Sequence, residues 1–441
     1  MSNYNQGSIT RIIDPIIDVA NNRVEFRLPS NTLLSANVRI LNIGAVVDTA
    51  ITTYNRMAGG LSLIKNIYLQ NNGETLDQIL DCNSWIAFKE HQKSHAEAQS
   101  VSSTLVGNRL GLEYDALNQI KSDQAKQLGI TLATSGKCML NLKNILPFFQ
   151  ASQVIPTRIF TDLRLIIEYE TDLVKISANT TNPLTNVMLN PFLSVEEILD
   201  QSLIASMTAD YQGITFRSVE RDLATLSTTK ATVDVAVGDV GFPLDSPNVI
   251  VNNKVALLKG FDNKYLSRIV VMPKSLEATG YKNATTDAVF GGGGLGAIAL
   301  LRPTFNVVVN GANKLAGSGL TSHSEIQARC IDTWGDTCVS LQANTPAVWN
   351  PEAAGSATAK TGCYSAFREY VGYAAYIGLD IEEFIQNLSI NIGYTAQKNS
   401  ASATPADANF DVLNSNYHLL VFGECRKSIR VANGSYIVSY M

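Results

Sequence analysis

The amino-acid sequence predicts a mainly β chain folded in two successive halves, and three observations carry that expectation. Runs rich in Val, Ile and Leu recur with a period of two, the mark of strands with one buried face. The segments between them are built from Asn, Gly, Ser and Pro, the residues of turns. Finally, the chain has 441 residues, whereas a single hydrophobic core stops growing beyond about 250–300 residues, so two cores are expected.

The first clean strand is Arg23–Leu28, where Val24, Phe26 and Leu28 alternate with charged residues and Pro29 with Ser30-Asn31 ends the run. Val38–Val47 follows, bent at Gly44, and then Leu61–Gln70, closed by Asn71-Asn72-Gly73, residues that tolerate positive φ. From Thr75 the spacing of Leu76, Ile79, Leu80, Asn83 and Ile86 predicts a helix with polar later turns to Ala98. A second helix is expected over Glu113–Leu128, stopped by Gly129. Strands return at Cys138–Leu142 and Leu163–Tyr169, and the latter is read as closing the first half at residue 175.

Residues 176–212 are expected to connect the halves. Ser177–Pro191 is rich in Thr and Asn, and Ser194-Val195-Glu196-Glu197 predicts an N-cap and acidic first turn for a helix running to Asp210. The second half, 213–441, carries strand patterns at Gly213–Val219, Thr232–Val237, Val249–Leu258, Leu266–Met272, Thr304–Val309, Leu388–Tyr394, Tyr417–Cys425 and Tyr436–Tyr440. Long loops at Gly280–Leu295 and Ala343–Thr361 are expected on the surface. Ile64–Leu69 and Leu266–Val271 share an order of apolar and polar residues, as Asp162–Tyr169 and Tyr417–Phe422 share a place near the ends of the halves; duplication is the reading.

Composition narrows the function. The net charge of −5 is too mild for a protein that coats nucleic acid. Charged residues make up only 17% against the usual ~25%, which fits surface buried against other subunits. No run of 18 apolar residues predicts a membrane helix, and Met1–Thr10 lacks an apolar signal core, so secretion is not expected. Cys82, Cys138, Cys330, Cys338, Cys363 and Cys425 show no metal spacing and read as reduced, mostly buried thiols. The Asn-x-Ser/Thr triplets at Asn179, Asn283, Asn387 and Asn433 are then chance matches.

Chemistry is sparse. His91 and His95 have helical i, i+4 spacing, but no Glu follows His91 and Lys93 lies between, so a solvated helix face is the expectation rather than a metal site. His323 and His418 have no nucleophile motif beside them. Gly291–Gly296 lacks the Lys-Ser/Thr of a P-loop and reads as a flexible loop. Glu196-Glu197 and Glu382-Glu383 read as helix openers, and Cys425–Arg430 as a strand edge kept polar against aggregation. No catalytic residue, cofactor or metal site is expected.

Two segments go further. Leu61–Asp77, followed by Trp85, resembles the strand, turn and acidic entry in the first barrel of double jelly-roll major capsid proteins of double-stranded DNA viruses, the lineage of polinton-like viruses, virophages and nucleocytoplasmic large DNA viruses. Asn144–Phe149, Ile155-Pro156-Thr157 and Leu163–Tyr169 resemble that family's Leu-Pro segment and the strand after it. The resemblance covers about residues 20–175, with Asn72-Gly73 where a Gly-Gly pair is common. It implies two consecutive eight-stranded jelly rolls, with a few short helices in loops and at the connection.

By the same resemblance the chain is a non-enzymatic major capsid protein, assembled in the host cell and resident in the virion. Three copies would make a pseudo-hexameric capsomer that tiles an icosahedral shell. Neighbouring capsomers, penton and minor capsid proteins are the implied partners, with no specific nucleic acid; a lipid layer beneath is not legible. Trp85, Phe148, Phe149 and Tyr169 are the expected structural core. The competing readings are a minor or vertex capsid protein, which needs only one barrel, and a carbohydrate-binding β-sandwich, for which three Trp and no acid pair across a groove speak poorly.

Overall fold

The computed structural model describes residues 8–20, 22–43, 61, 63–91, 138–171, 190–226, 247–275, 301–315, 319, 323–335, 377–397, 417–432 and 434–441. The expected helix at 113–128, the expected strand at 232–237 and the loops at 280–295 and 343–361 lie outside them.

The first half is built from β1 (Ser8–Ile13), β2 (Ile17–Val19), β3 (Arg23–Arg27), β4 (Leu33–Ser35), β5 (Arg39–Ile43), β6 (Ile64–Asn71), β7 (Glu74–Ile79), α1 (Cys82–His91), β8 (Cys138–Asn141), α2 (Pro147–Ala151), β9 (Val154–Pro156), β10 (Leu163–Tyr169) and β11 (Phe192–Ile198). β4 and β5 lie end to end against β11, and β9 and β8 lie end to end against them, so each pair is one interrupted strand. α2 sits in the excursion between β8 and β9. With β2 counted as a hairpin addition to β3, eight strands remain. One sheet runs in the order first, eighth, third, sixth (β1, β11, β4/β5, β9/β8), and the other second, seventh, fourth, fifth (β3, β10, β6, β7).

After α3 (Gln201–Asp210) the second half repeats this wiring. Its strands are β12 (Gly213–Leu226), β13 (Pro247–Leu257), β14 (Tyr265–Ser275), β15 (Leu301–Val309), β16 (Ala312–Asn313), β17 (Ile377–Phe384), β18 (Leu388–Gln397) and β19 (Tyr417–Ala432), with α4 (His323–Trp334) before β17 and β20 (Ser435–Tyr440) added beside β19. The sheets are β12-β19-β14-β17 and β13-β18-β15-β16, again first, eighth, third, sixth and second, seventh, fourth, fifth. Two four-stranded antiparallel sheets wired in this way form a jelly roll; the chain is a double jelly roll.

The repeat shows in sequence at the turn between the fourth and fifth strands. Asn72-Gly73 and Asn310-Gly311 occupy it in the two rolls, all four residues at positive φ (50°, 84°, 51° and 85°), as a two-residue hairpin turn demands. The residues one, three and five before each turn Asn are buried: Asn71, Leu69 and Ile67 in β6, Val309, Val307 and Phe305 in β15. The expected internal match is therefore out of frame. It set Ile64–Leu69, a fourth strand, against Leu266–Val271 in a third strand, and Asp162–Tyr169, around a seventh strand, against an eighth. Central strands share the same apolar composition, so composition alone cannot assign them.

Four further expectations are corrected. Thr75–Ile79 is strand, not helix, because the Asn-Gly turn sends the chain back along β6, with Tyr68 opposite Gln78; the helix starts only at Cys82, after Asp81 at φ 49°. Ser194–Glu197 belongs to β11, not to a helix, and its acids are met by arginines: Glu196 by Arg39 (3.2 Å) and the enclosed Glu197 by Arg11 (2.8 Å). β11 lies inside the expected 176–212 connection yet pairs with β1, β4 and β5 of the first roll. α3 is capped instead by Asp200, whose carboxylate accepts the N–H groups of Ser202 and Leu203. Glu382-Glu383 likewise lies in a strand, β17.

Candidate assembly surface

What the fold presents outward depends on what the two rolls consume in holding each other. Of the sequence-expected core residues, Trp85, Phe148 and Phe149 stand at or beside that junction, and Tyr169 lies within the first roll. Trp85, on α1, is 2% exposed, with its ring 5.2 Å from Phe422 and 5.9 Å from Trp334 of the second roll. Phe148 and Phe149, on α2, are fully enclosed; the Phe148 ring meets Phe149, Phe160 and the second roll's Phe216 edge to face at 5.5, 6.1 and 6.0 Å. Tyr169 ends β10, and burial pushes its hydroxyl up from the ordinary phenol value.

The junction also holds charges that the sequence reading missed. Arg268 grips Glu424 with two nitrogens (2.8 and 3.0 Å), donates to the carbonyl of Thr333 (2.7 Å) and stacks on the Trp334 ring at 3.9 Å. Across the junction Arg221 pairs with Asp81. Asn71 Nδ2 donates to the Tyr436 hydroxyl (3.0 Å). Arg268→Met would strip both nitrogens from Glu424, only 9% exposed, leaving it Arg217 at 3.7 Å and the field of Lys89. Removing one member of such a pair costs about 3 kcal/mol or more, so the urea midpoint of Arg268→Met is expected to fall clearly below that of the parent chain.

The expected polar edge at Cys425–Arg430 is corrected too. β19 is a central strand, flanked by β12 on one side and by β14 and β20 on the other. Lys427 is buried, and Arg426 lies over the Tyr265 ring and near Glu382. Of the histidines, His91 ends α1, His323 begins α4 and His418 lies in β19; His95 and Gly291–Gly296 fall outside the described residues.

Among the described residues the outward surface has one unusual concentration. Ile9, Ile12, Ile16, Ile17 and Val19 are all between 41% and 56% exposed, and all fall within β1, β2 and the link between them. Among the described residues β1 and β2 are edge strands of the first roll's two sheets, so this flank exposes apolar side chains beside backbone that no described strand pairs. Edge strands normally carry charge or proline to discourage association; here Arg11, Asp14, Pro15 and Asp18 interleave with the apolar side chains rather than replace them. Ile9 and Ile12 lie on opposite faces of β1, so neither face of this strand is covered. On the second roll, Val255 and Leu257 stand 65% and 60% exposed on the outer face of β13, also an edge strand.

No protein-family model matches the sequence, and no curated protein matches it. Solved structures match the fold over nearly the whole chain. The PBCV-1 protein fitted into a cryo-EM reconstruction of the virophage Sputnik shares 12% identity, covers 98% of this chain and 97% of its own, and gives a TM-score of 0.54. A chain of the quasi-atomic PBCV-1 virus capsid shares 10%, with coverage of 98% and 97% and a TM-score of 0.57. The mavirus major capsid protein shares 11%, with coverage of 98% and 90% and a TM-score of 0.50.

Proposed function

We propose that this chain is a major capsid protein that assembles as a homotrimer, each trimer forming a pseudo-hexameric capsomer of an icosahedral virion. The observation that carries the reading is that the likeness to virus capsid proteins spans both rolls, at 98–99% of this chain. We take the first roll as residues 8–198 and the second as 213–440, joined through α3.

The physics of the fold favours the same reading. Two rolls of identical wiring, side by side, let three copies present six similar lobes around one axis, and near-hexagonal blocks tile a shell. A vertex protein needs one roll, so the second roll argues for the principal subunit. The apolar flanks at Ser8–Val19 and on β13 sit on different rolls, the arrangement of a head-to-tail contact that closes into a ring. Fully burying an exposed Ile or Val contributes about 1.5–3 kcal/mol, so half-exposed side chains contribute on the order of 1 kcal/mol each. Neighbouring capsomers, penton and minor capsid proteins complete the shell, which forms inside the host cell.

Sedimentation of the purified chain tests the assembly state. A species of three times the 47.7 kDa chain mass is expected at micromolar concentration; a stable monomer under the same conditions would overturn the reading.

A further inference from the structure

The junction between the rolls encloses a carboxyl group that no assembly contact requires. Asp77, on β7, is fully buried. One of its oxygens accepts the N–H of Phe148 at 2.8 Å, and the other accepts the N–H of Gln78 at 3.0 Å. Phe148 belongs to α2, which brings no ionisable side chain. The charges that bear on Asp77, those of Lys427 and Glu220, come from the second roll.

From β19 comes Lys427, 3% exposed, and from β12 comes Glu220, 7% exposed. Lys264, in the turn before β14, donates to Glu220 at 2.9 Å, while Ser218 on β12 and Tyr440 on β20 donate to the other Glu220 oxygen. Both lysines lie over the Tyr440 ring, at 4.6 Å for Lys264 and 5.0 Å for Lys427. Glu74, at the start of β7, adds a negative charge felt by Lys427, and Arg221 on β12 is turned to Asp81 instead. Glu220 thus has dedicated partners, whereas Asp77 has two backbone donors and the field of Lys427.

We infer that Asp77 is a proton-operated element of the inter-roll junction: a fully enclosed carboxyl of the first roll, held by the Phe148 and Gln78 amides in the field of Lys427 from the second roll, whose ionisation weakens the hold between the rolls. Burial pushes the carboxyl up to about 7, against the pull of the Phe148 N–H and of Lys427. Burial also pushes Lys427 down, while Asp77 and Glu220 draw it back. For Glu220, burial is the largest influence and works upward, but the Lys264 charge, the hydrogen bonds from Tyr440 and Lys264 and the Lys427 charge together outweigh it, so its carboxyl is held below the ordinary value.

The sign follows from linkage. An unfolded Asp titrates near 3.9, so between about pH 4 and 7 the folded chain holds a proton that the unfolded chain has released. Stability from this group therefore falls as pH rises through that window; the penalty is complete above about 7 and absent below about 4. Glu220 acts in a separate window, its contribution being lost only as pH falls through its lowered value. The inference stands on the intrachain junction and does not depend on the capsid reading.

Urea unfolding at pH 5.5 and pH 8, with hydrogen exchange at the Phe148 amide, tests it. For the parent chain the folding equilibrium constant is expected to drop by more than about tenfold between the two pH values, and the Phe148 amide to lose protection beyond the intrinsic pH effect. Asp77→Asn, which keeps an acceptor for Phe148, should lose most of that dependence. A parallel pH slope in Asp77→Asn would overturn the inference. If that variant fails to fold, Lys427→Met decides: without the ammonium the drop should move to higher pH, and an unmoved drop would be the contrary result. Unchanged Phe148 protection in the parent chain would also contradict it.

Discussion

Phe148→Asp is expected to yield no soluble, folded chain, whereas Phe148→Leu should fold with modest loss. The ring is enclosed, packed edge to face against Phe149 and Phe160 in its own roll and against Phe216 in the other. Truncating such a ring to Ala costs about 3–5 kcal/mol through lost burial and a cavity. An aspartate adds the cost of burying a charge without a partner. Its backbone N–H would still point at the Asp77 carboxyl, so two acids would crowd one dry site and each would resist ionising. The sum rivals the whole stability of a domain, about 5–15 kcal/mol. Expression followed by circular dichroism of the soluble fraction checks it; a folded, assembled Phe148→Asp protein would show that the junction has been misplaced.

The second large effect concerns association rather than folding. Ile12→Asp combined with Ile17→Asp is expected to leave the fold intact and to shift the chain from trimer to monomer. Both positions are open to solvent in the single chain, 56% and 41% exposed, so charge there costs the monomer little. In an interface the same two carboxylates must be desolvated without partners, at several kcal/mol together, a loss of at least a hundredfold in association. Sedimentation at several concentrations, with thermal unfolding as the control, separates the two effects. A double variant that stays trimeric with unchanged affinity would remove the Ser8–Val19 flank from the interface.

The legible part of this fold was the part with alternation and turn chemistry. Val24 and Phe26 in β3, or Leu163, Leu165, Ile167 and Tyr169 in β10, declare a strand by their alternation, although Glu25 on the opposite face is enclosed too, met by Arg23 and Arg164. Elsewhere local signals pointed the wrong way. Glu196-Glu197 after Ser194 imitates a helix start because the arginines that meet these acids, Arg11 and Arg39, lie more than a hundred residues earlier. β17 alternates buried Ile377, Leu379 and Ile381, but its Glu382-Glu383 pair imitates the acidic first turn of a helix. β16, two residues long, offers no periodicity at all.

The repeat was visible in the two Asn-Gly turns, which fix a frame that apolar composition cannot. Of the site, Trp85 and Phe148 could be named as interior from their neighbours in sequence. Their contacts with Phe422 and Phe216 could not, since these join segments far apart in the chain. The pairing of Asp77 with the field of Lys427 is of the same kind: a polar residue in a strand reads as solvent-facing until the second roll is in place.

Negative-stain images of the purified assembly test the central claim most directly. Six lobes of similar size around a three-fold axis are the predicted result, because each copy contributes two rolls of the same wiring. Particles with three lobes, or isolated two-lobed chains at micromolar concentration, would contradict it.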